Sequence, residues 1–331
     1  MEKEILDKIK LLENKYAQMG QDLNSYLEGL LLSNYLTYWD YTKIDTLLTL
    51  QNPKTDFPDE LIFIIYHQIT ELYFKLSLHE LDQIAHNGRD IRPDGQDNGW
   101  KEKIDPVFFA ERITRINRYF ESLTKSFEIM VDGMEKEQFL RYRMALLPAS
   151  GFQSAQYRLI EMSCSDFINL VDKDQREQFH GKTPSFEELF KHIYWNKGAT
   201  ELASGKKTLT LKQFEKKYSE QFIEHATEYK DKNVWQKYLS LPESDRQNPK
   251  LINALKILDI NVNVNWPLMH YKSAVRYLQQ NTGDISATGG TNWQKYLPPR
   301  FQKRIFFPDI WTEEEKEEWG KGWVETNVYK N

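Results

Sequence analysis

Apolar residues recur at helical spacing along almost the whole chain. In residues 4–19, Ile5, Ile9, Leu12 and Tyr16 follow at intervals of 4, 3 and 4 on an otherwise charged segment, which predicts an amphipathic helix. Residues 58–85 open with Pro58, Asp59 and Glu60, a proline in the first turn and acids suited to the positive helix end. Ile62, Ile65, Ile69, Leu72 and Leu76 then form a stripe spaced 3, 4, 3 and 4. The pattern is clearest over 106–131, where Asp105 caps, Pro106 starts and Asp132-Gly133 stops a helix. At 1.5 Å per residue it is about 39 Å long. Its stripe is Phe109, Ile113, Ile116, Phe120, Leu123, Phe127 and Met130.

Polar punctuation separates these runs. Residues 86–104 read as a polar loop, and the helical stretches 135–145 and 153–170 are joined by the irregular segment 146–151. From 171 to about 250 the chain is polar and interrupted by Gly181, Pro184, Gly205, Pro242 and Pro249, with short helices at 186–194 and 211–229. A last helical region, 249–281, contains Pro267, which must kink or restart it. The fold class is therefore all-α, a bundle of long helices. It divides into an N-terminal helical arm at 1–50, a core from 51–170 and 249–331, and a helical insert or lid at 171–248.

Composition narrows the function classes. Gly and Pro together number 27 of 331 residues, against roughly 12% in average chains, which argues against a turn-rich sandwich or barrel. A net charge of −5 gives no basic excess for nucleic acid. The longest strongly apolar runs, such as 61–65, are far short of the roughly 20 residues a membrane helix needs. The single cysteine, Cys164, excludes an intramolecular disulfide and any cysteine-cluster metal site, and fits a reducing cytoplasm. It lies mid-helix in an apolar setting and reads as inert.

No nucleophile elbow, zinc-protease helix, Walker loop or dinucleotide fingerprint is present. Seven histidines are the remaining candidates. His67 lies inside the apolar 58–85 helix, one turn after Phe63, and by itself reads as a hydrogen-bonded core residue. His79 and His86 sit near that helix end, and His180, His192 and His225 stand among charges and read as surface residues. His270, preceded by Pro267-Leu268-Met269, has the setting of a haem axial ligand or of a structural histidine. Arg143 lies in an apolar run, where a guanidinium needs an anion, either an internal carboxylate or a bound one. The TGGT segment at 288–291 could present N–H groups and a hydroxyl to a ligand, or be a surface turn.

Taken together, five blocks in order resemble the tryptophan 2,3-dioxygenase family. They are TYWDYTKIDTLLTLQ (37–51), FIIYHQITELYFKLSLHEL (63–81), YRMALLPASGFQSAQYRLIE (142–161), His270 with Arg276 followed by ATGGT (287–291), and FFPDIW (306–311). The GFQSAQYR stretch is the most specific of them.

The resemblance implies an all-helical haem enzyme that adds O2 across the indole C2–C3 bond of L-tryptophan, giving N-formylkynurenine. It implies haem b with its iron, one per subunit, in a homotetramer, while the charge balance, the short apolar runs and the lone cysteine lead to a cytoplasmic protein with no nucleic-acid or membrane partner. By it, His270 matches the proximal haem ligand, His67 the distal histidine that meets the indole N–H, and Phe63 the aromatic beside the substrate ring. Arg143 matches the arginine that pairs with the amino-acid carboxylate, Thr288 the threonine at the ammonium and carboxylate end, and Ser150 and Gly151 line the cofactor. Tyr38, Tyr41 and Thr42 match positions that reach a neighbouring subunit's pocket, so the 1–50 arm is expected to pack on a neighbour.

Departures bear on the substrate. Phe139 stands where the family has a pocket-lining tyrosine, Thr42 replaces a leucine, Trp39 a small residue, Tyr73 a tryptophan, Met144 an acid and Leu147 a glycine. The loop between His270 and Thr288 is longer than the family's. The alternatives are a haem monooxygenase of a tryptophan derivative or other aromatic amino acid, a catalytically silent haem or indole binder, and a purely structural helical oligomer.

Overall fold

The computed structural model describes residues 2–200, 206–279 and 293–321, apart from the side chains of residues 197, 198, 295 and 296. It is all-α, and its one sheet among the described residues is a two-stranded hairpin. The chain forms two compact units, Met1–Asn52 and Pro53–Asn331.

The first unit contains α1 (Lys3–Gln18), α2 (Leu23–Leu32) and α3 (Tyr38–Thr42). Asp22 caps α2 through the N–H groups of Asn24 and Ser25, and Thr37 caps α3. None of these helices buries a residue. Leu30, Leu31, Leu32, Tyr35, Tyr38 and Tyr41 are all exposed.

The second unit is built on α4 (Asp59–Ala85), α5 (Pro106–Ser126), α6 (Lys136–Tyr142), α7 (Ala155–Cys164), α8 (Leu209–Tyr229), α9 (Pro249–Ile260) and α10 (Trp266–Leu278). α4 packs on α5 and α7, α5 on α9, and α7 on α8. The stripe expected for 106–131 is the core: Phe109, Ile113, Ile116, Phe120 and Leu123 are fully buried, and Phe127 and Met130 nearly so. The helix itself is not continuous. It ends at Ser126, turns at Phe127 and resumes as Glu128–Asp132. Asp105 caps it through the N–H of Phe108, as expected.

On α4 the outcome differs from the usual rule that the periodic apolar stripe is the buried one. Tyr66, Thr70, Phe74, Ser77, Leu81 and Ile84 are buried, whereas of the expected stripe Ile65, Ile69, Leu72 and Leu76 are each between 39% and 48% exposed and Ile62 is only partly buried. This helix is apolar on two faces, and its neighbours cover only one.

Residues 86–104 are not simply a loop, because β1 (Arg89–Ile91) and β2 (Asp97–Trp100) pair antiparallel there. Pro267 restarts the last helical region, one of the two outcomes expected for it. A π-helical turn, Asn261–Asn265, joins α9 to α10 and leaves the proline in the first turn of α10, where its missing N–H is tolerated. The 171–248 segment contributes Phe179, Leu189, Ile193, Trp195 and Phe222 to the same hydrophobic cluster as Phe74 and Phe120. His225, expected at the surface, is instead partly buried, bonded to Ser163 Oγ at 2.8 Å and stacked on Tyr229. Burial drives its pKa down to about 4.

Candidate functional site

Two histidines on two helices have the same local arrangement. His67 Nδ1 lies 2.7 Å from the carbonyl oxygen of Phe63, and His270 Nδ1 lies 3.0 Å from that of Trp266. A carbonyl can only accept, so Nδ1 carries the proton in each ring and Nε2 keeps its lone pair. The i to i−4 relation within a helix makes this bond local, which explains why both rings are held in one tautomer.

Burial keeps both imidazoles neutral. Desolvation lowers the His67 pKa, against the opposing pull of the Phe63 carbonyl and Glu71. It carries His270 down to about 4, against the opposing pull of the Trp266 carbonyl. Taken as whole residues, both His67 and His270 are only partly buried.

Aromatic rings surround both. Phe63 packs on His67 with ring centres 4.1 Å apart, and Phe139 and Tyr142 lie 6.4 and 5.9 Å from Phe63. Tyr142 and Tyr277 aim their hydroxyls at Met134, at its Sδ and its carbonyl, at 3.1 and 3.2 Å. Phe139 adds no hydroxyl, so these phenols do not turn a polar group toward Phe63. His270 is flanked by Phe127 and Trp266, with ring centres 4.5 and 4.6 Å away.

Arg143 opens the 3-10 turn Arg143–Leu146, directly after α6. It is buried, and desolvation lowers its pKa. Ser150 and Gln153 form a reciprocal capping box, with Ser150 Oγ accepting from Phe152 N–H and Gln153 Oε1 from Ser150 N–H. Gly151 borders His67: a Cβ there would lie 3.7 Å from His67 Nε2, so the glycine leaves that side of the lone pair open.

The structure thus brings together Phe63, His67, Phe139 and Gly151, and sets Arg143 beside Tyr142. Tyr38, Tyr41 and Thr42 lie on α3 in the other unit, Tyr38 and Tyr41 exposed. Thr288 lies outside the described residues.

Several bracing residues carried no sequence signal. Gln156 on α7 donates to the Glu71 carbonyl and carboxylate on α4, both at 2.8 Å. Tyr157 donates to the Val262 carbonyl in the π turn at 2.8 Å, and Asn117 to the Ala254 carbonyl at 2.9 Å. Thr210 and Gln153 tie the start of α8 to the 146–153 segment. Their partners are 57 to 137 positions away in sequence, beyond the reach of any periodicity. The only available signal is that Gln153, Gln156 and Tyr157 fall within the GFQSAQYR stretch.

Comparison with known proteins converges on one family. The family described as tryptophan 2,3-dioxygenase matches residues 30–240. A protein of Bacillus thuringiensis subsp. konkukian (strain 97-27) named tryptophan 2,3-dioxygenase is 26% identical over 287 residues, covering 83% of this chain and 91% of that protein. One of the same name from Herpetosiphon aurantiacus is 29% identical over 299 residues, covering 85% and 98%. Another from Ruegeria sp. (strain TM1040) reaches 39% over 126 residues, covering 38% and 40%.

Proposed function

The chain belongs to the tryptophan 2,3-dioxygenase family, and from that premise we propose that it oxidises L-tryptophan, adding both atoms of O2 across the indole C2–C3 bond to give N-formylkynurenine. The observation that carries this reading is the neutral imidazole of His67 beside Phe63, with its Nε2 lone pair unprotonated. An indole needs a flat apolar surface and one acceptor for its N–H, and these two residues supply both. His67 acts here as an acceptor that fixes the ring's orientation. An indole N–H is a very weak acid, so no proton need leave it for binding.

In this reading His270 would hold the iron of haem b, one per subunit, and Ser150 and Gly151 would line the cofactor. The donor chemistry fits, because the Nδ1 proton is held by the Trp266 carbonyl and the ring stays neutral down to about pH 4. When bound, that group supplies an iron at which O2 is activated. Arg143 takes the substrate carboxylate through its planar fork, and Thr288 helps hold the ammonium end. Phe139 closes the ring slot with hydrocarbon, which favours an unsubstituted indole over one carrying a polar group.

The assembly is a homotetramer in this reading, with Tyr38, Tyr41 and Thr42 reaching a neighbour's site. Two observations support it: an arm that buries none of its helical residues, and the exposed apolar stripe on α4. Among the described residues no helix is long and apolar enough to cross a membrane. We place the protein in the cytoplasm, in keeping with its single buried thiol.

The test is mass spectrometry of the product formed from L-tryptophan and isotopically labelled O2 by reduced, haem-loaded protein. Two labelled oxygens are expected. A single labelled atom would replace dioxygenation by hydroxylation, and no turnover with any indole would leave only a binding protein.

A further inference from the structure

Two helix N-termini meet where the ring slot and the arginine come from different elements. Asp59 opens α4, with Phe63 and His67 one and two turns along. Glu135 precedes α6, which carries Phe139 and leads directly into Arg143. The first N–H groups of any helix lack intrahelical acceptors, and neither Pro58 nor Glu135 caps its own helix with a side chain. Here each helix caps the other. Asp59 Oδ2 accepts the N–H of Glu135 at 2.6 Å, and Gln138 Oε1 accepts the N–H of Asp59 at 3.3 Å.

The Asp59 side chain is buried, so water is a poor substitute for either bond. Its charge reaches a third element. Burial, and then Asp59, push the Tyr142 phenol up, and Asp59 also adds to the rise that burial imposes on Tyr277 of α10, the helix that carries His270. By its hydrogen bonds Asp59 stands at the junction of the segments bearing His67 and Arg143.

We propose that Asp59 is a positioning residue for substrate binding: its bond to Glu135 sets the separation between the indole-holding helix α4 and Arg143. The inference rests on the reading of His67 and Arg143 as contacts to opposite ends of one amino acid. The two ends of that substrate are joined by a short covalent chain, so a shift of α6 against α4 loses contact at one end or the other. Gln138 is the reciprocal half of the clamp.

The experiment compares wild type with Asp59→Ala, Asp59→Asn and Gln138→Ala as full-length, haem-loaded proteins. It measures KM and kcat for L-tryptophan, the Soret band, and amide hydrogen exchange over 135–146. Asp59→Ala is expected to raise KM on the order of tenfold, the size of one lost charge-assisted hydrogen bond, with kcat per haem and Soret intensity close to wild type. Asp59→Asn should recover most of the affinity, because its amide oxygen still accepts from Glu135. Gln138→Ala should raise KM less, and Glu135 N–H should exchange faster in Asp59→Ala. A wild-type KM in Asp59→Ala, or a loss that falls on kcat equally in the Ala and Asn variants, overturns the proposal. If Asp59→Ala does not fold, an unchanged KM in Gln138→Ala overturns it. A wild-type protein that binds no tryptophan rejects the site reading instead, and the clamp is then judged by exchange at Glu135 alone.

Discussion

Replacing Asp259 by asparagine should make the protein relatively more stable as the pH rises from about 4 to about 6. Asp259 is fully buried on α9. Its carboxylate accepts from Phe306 N–H at 3.0 and 3.1 Å, Phe307 N–H at 3.2 Å, Trp311 Nε1 at 3.0 Å and Asn263 Nδ2 at 2.8 Å. Desolvation outweighs these donors and raises its pKa from 3.8 to about 6. A folded-state pKa above the unfolded one means that the native state holds the proton longer. The stability linked to that proton is complete below the unfolded pKa and is lost as the pH rises through the folded one. About two pKa units at roughly 1.4 kcal/mol each is a loss on the order of 3 kcal/mol in all, from well below the unfolded pKa to well above the folded one.

An asparagine cannot ionise, and its oxygen can stay with Phe306, Phe307 and Trp311. Its NH2 then faces Asn263, whose Oδ1 is buried without a partner and becomes available by an amide flip. The measurement is urea unfolding of wild type and Asp259→Asn in the same haem state at steps from pH 4 to pH 7. Other titrating groups cancel in the difference between the two curves. The stability difference should shift toward the mutant by about 2 kcal/mol between pH 4 and pH 6 and level off near pH 7. Parallel curves would refute the argument, because they would mean that Asp259 does not change its proton affinity on folding.

His270→Ala should lose its Soret band after haem supplementation while keeping a wild-type far-ultraviolet spectrum, since α10 holds its shape through Trp266, Met269 and Tyr277, all buried. Arg143→Leu should weaken L-tryptophan binding by about 2–5 kcal/mol with little effect on haem content, and calorimetric titration with equal affinities would remove Arg143 from the site. Gly133→Ala should destabilise the fold by about 1–3 kcal/mol in thermal unfolding, because its Cβ would lie 2.4 Å from the Ile129 carbonyl oxygen. On the proposed homotetramer, Leu72→Glu with Leu76→Glu should give smaller species than wild type in sedimentation velocity. An unchanged sedimentation coefficient would show that the exposed face of α4 is not an interface.

Much of this protein is decided locally and can be read along the chain. The caps at Asp105 and Pro106, the stop at Gly133 and the buried stripe from Phe109 to Leu123 depend on residues within a few turns of one another, which is the range that periodicity and capping describe. The single tautomer of His67 and of His270 is equally local, since each is set by a carbonyl four residues earlier. Only tertiary packing decided the rest. α4 has two apolar stripes, and covering by α5 and α7 buried the one with Tyr66, Phe74 and Leu81, while the stripe with Leu72 and Leu76 stayed outside. The break at Phe127, the π turn that accommodates Pro267, and the loss of solvent at His225 have the same origin. The roles of Asp59 and Asp259 were also hidden, because their partners lie 76 and 47 positions away and a carboxylate's function depends on which N–H groups the fold delivers to it. Periodicity records what each segment could bury. Which face is buried, and which charge is left to be paired, follows from the competition among all segments for one core.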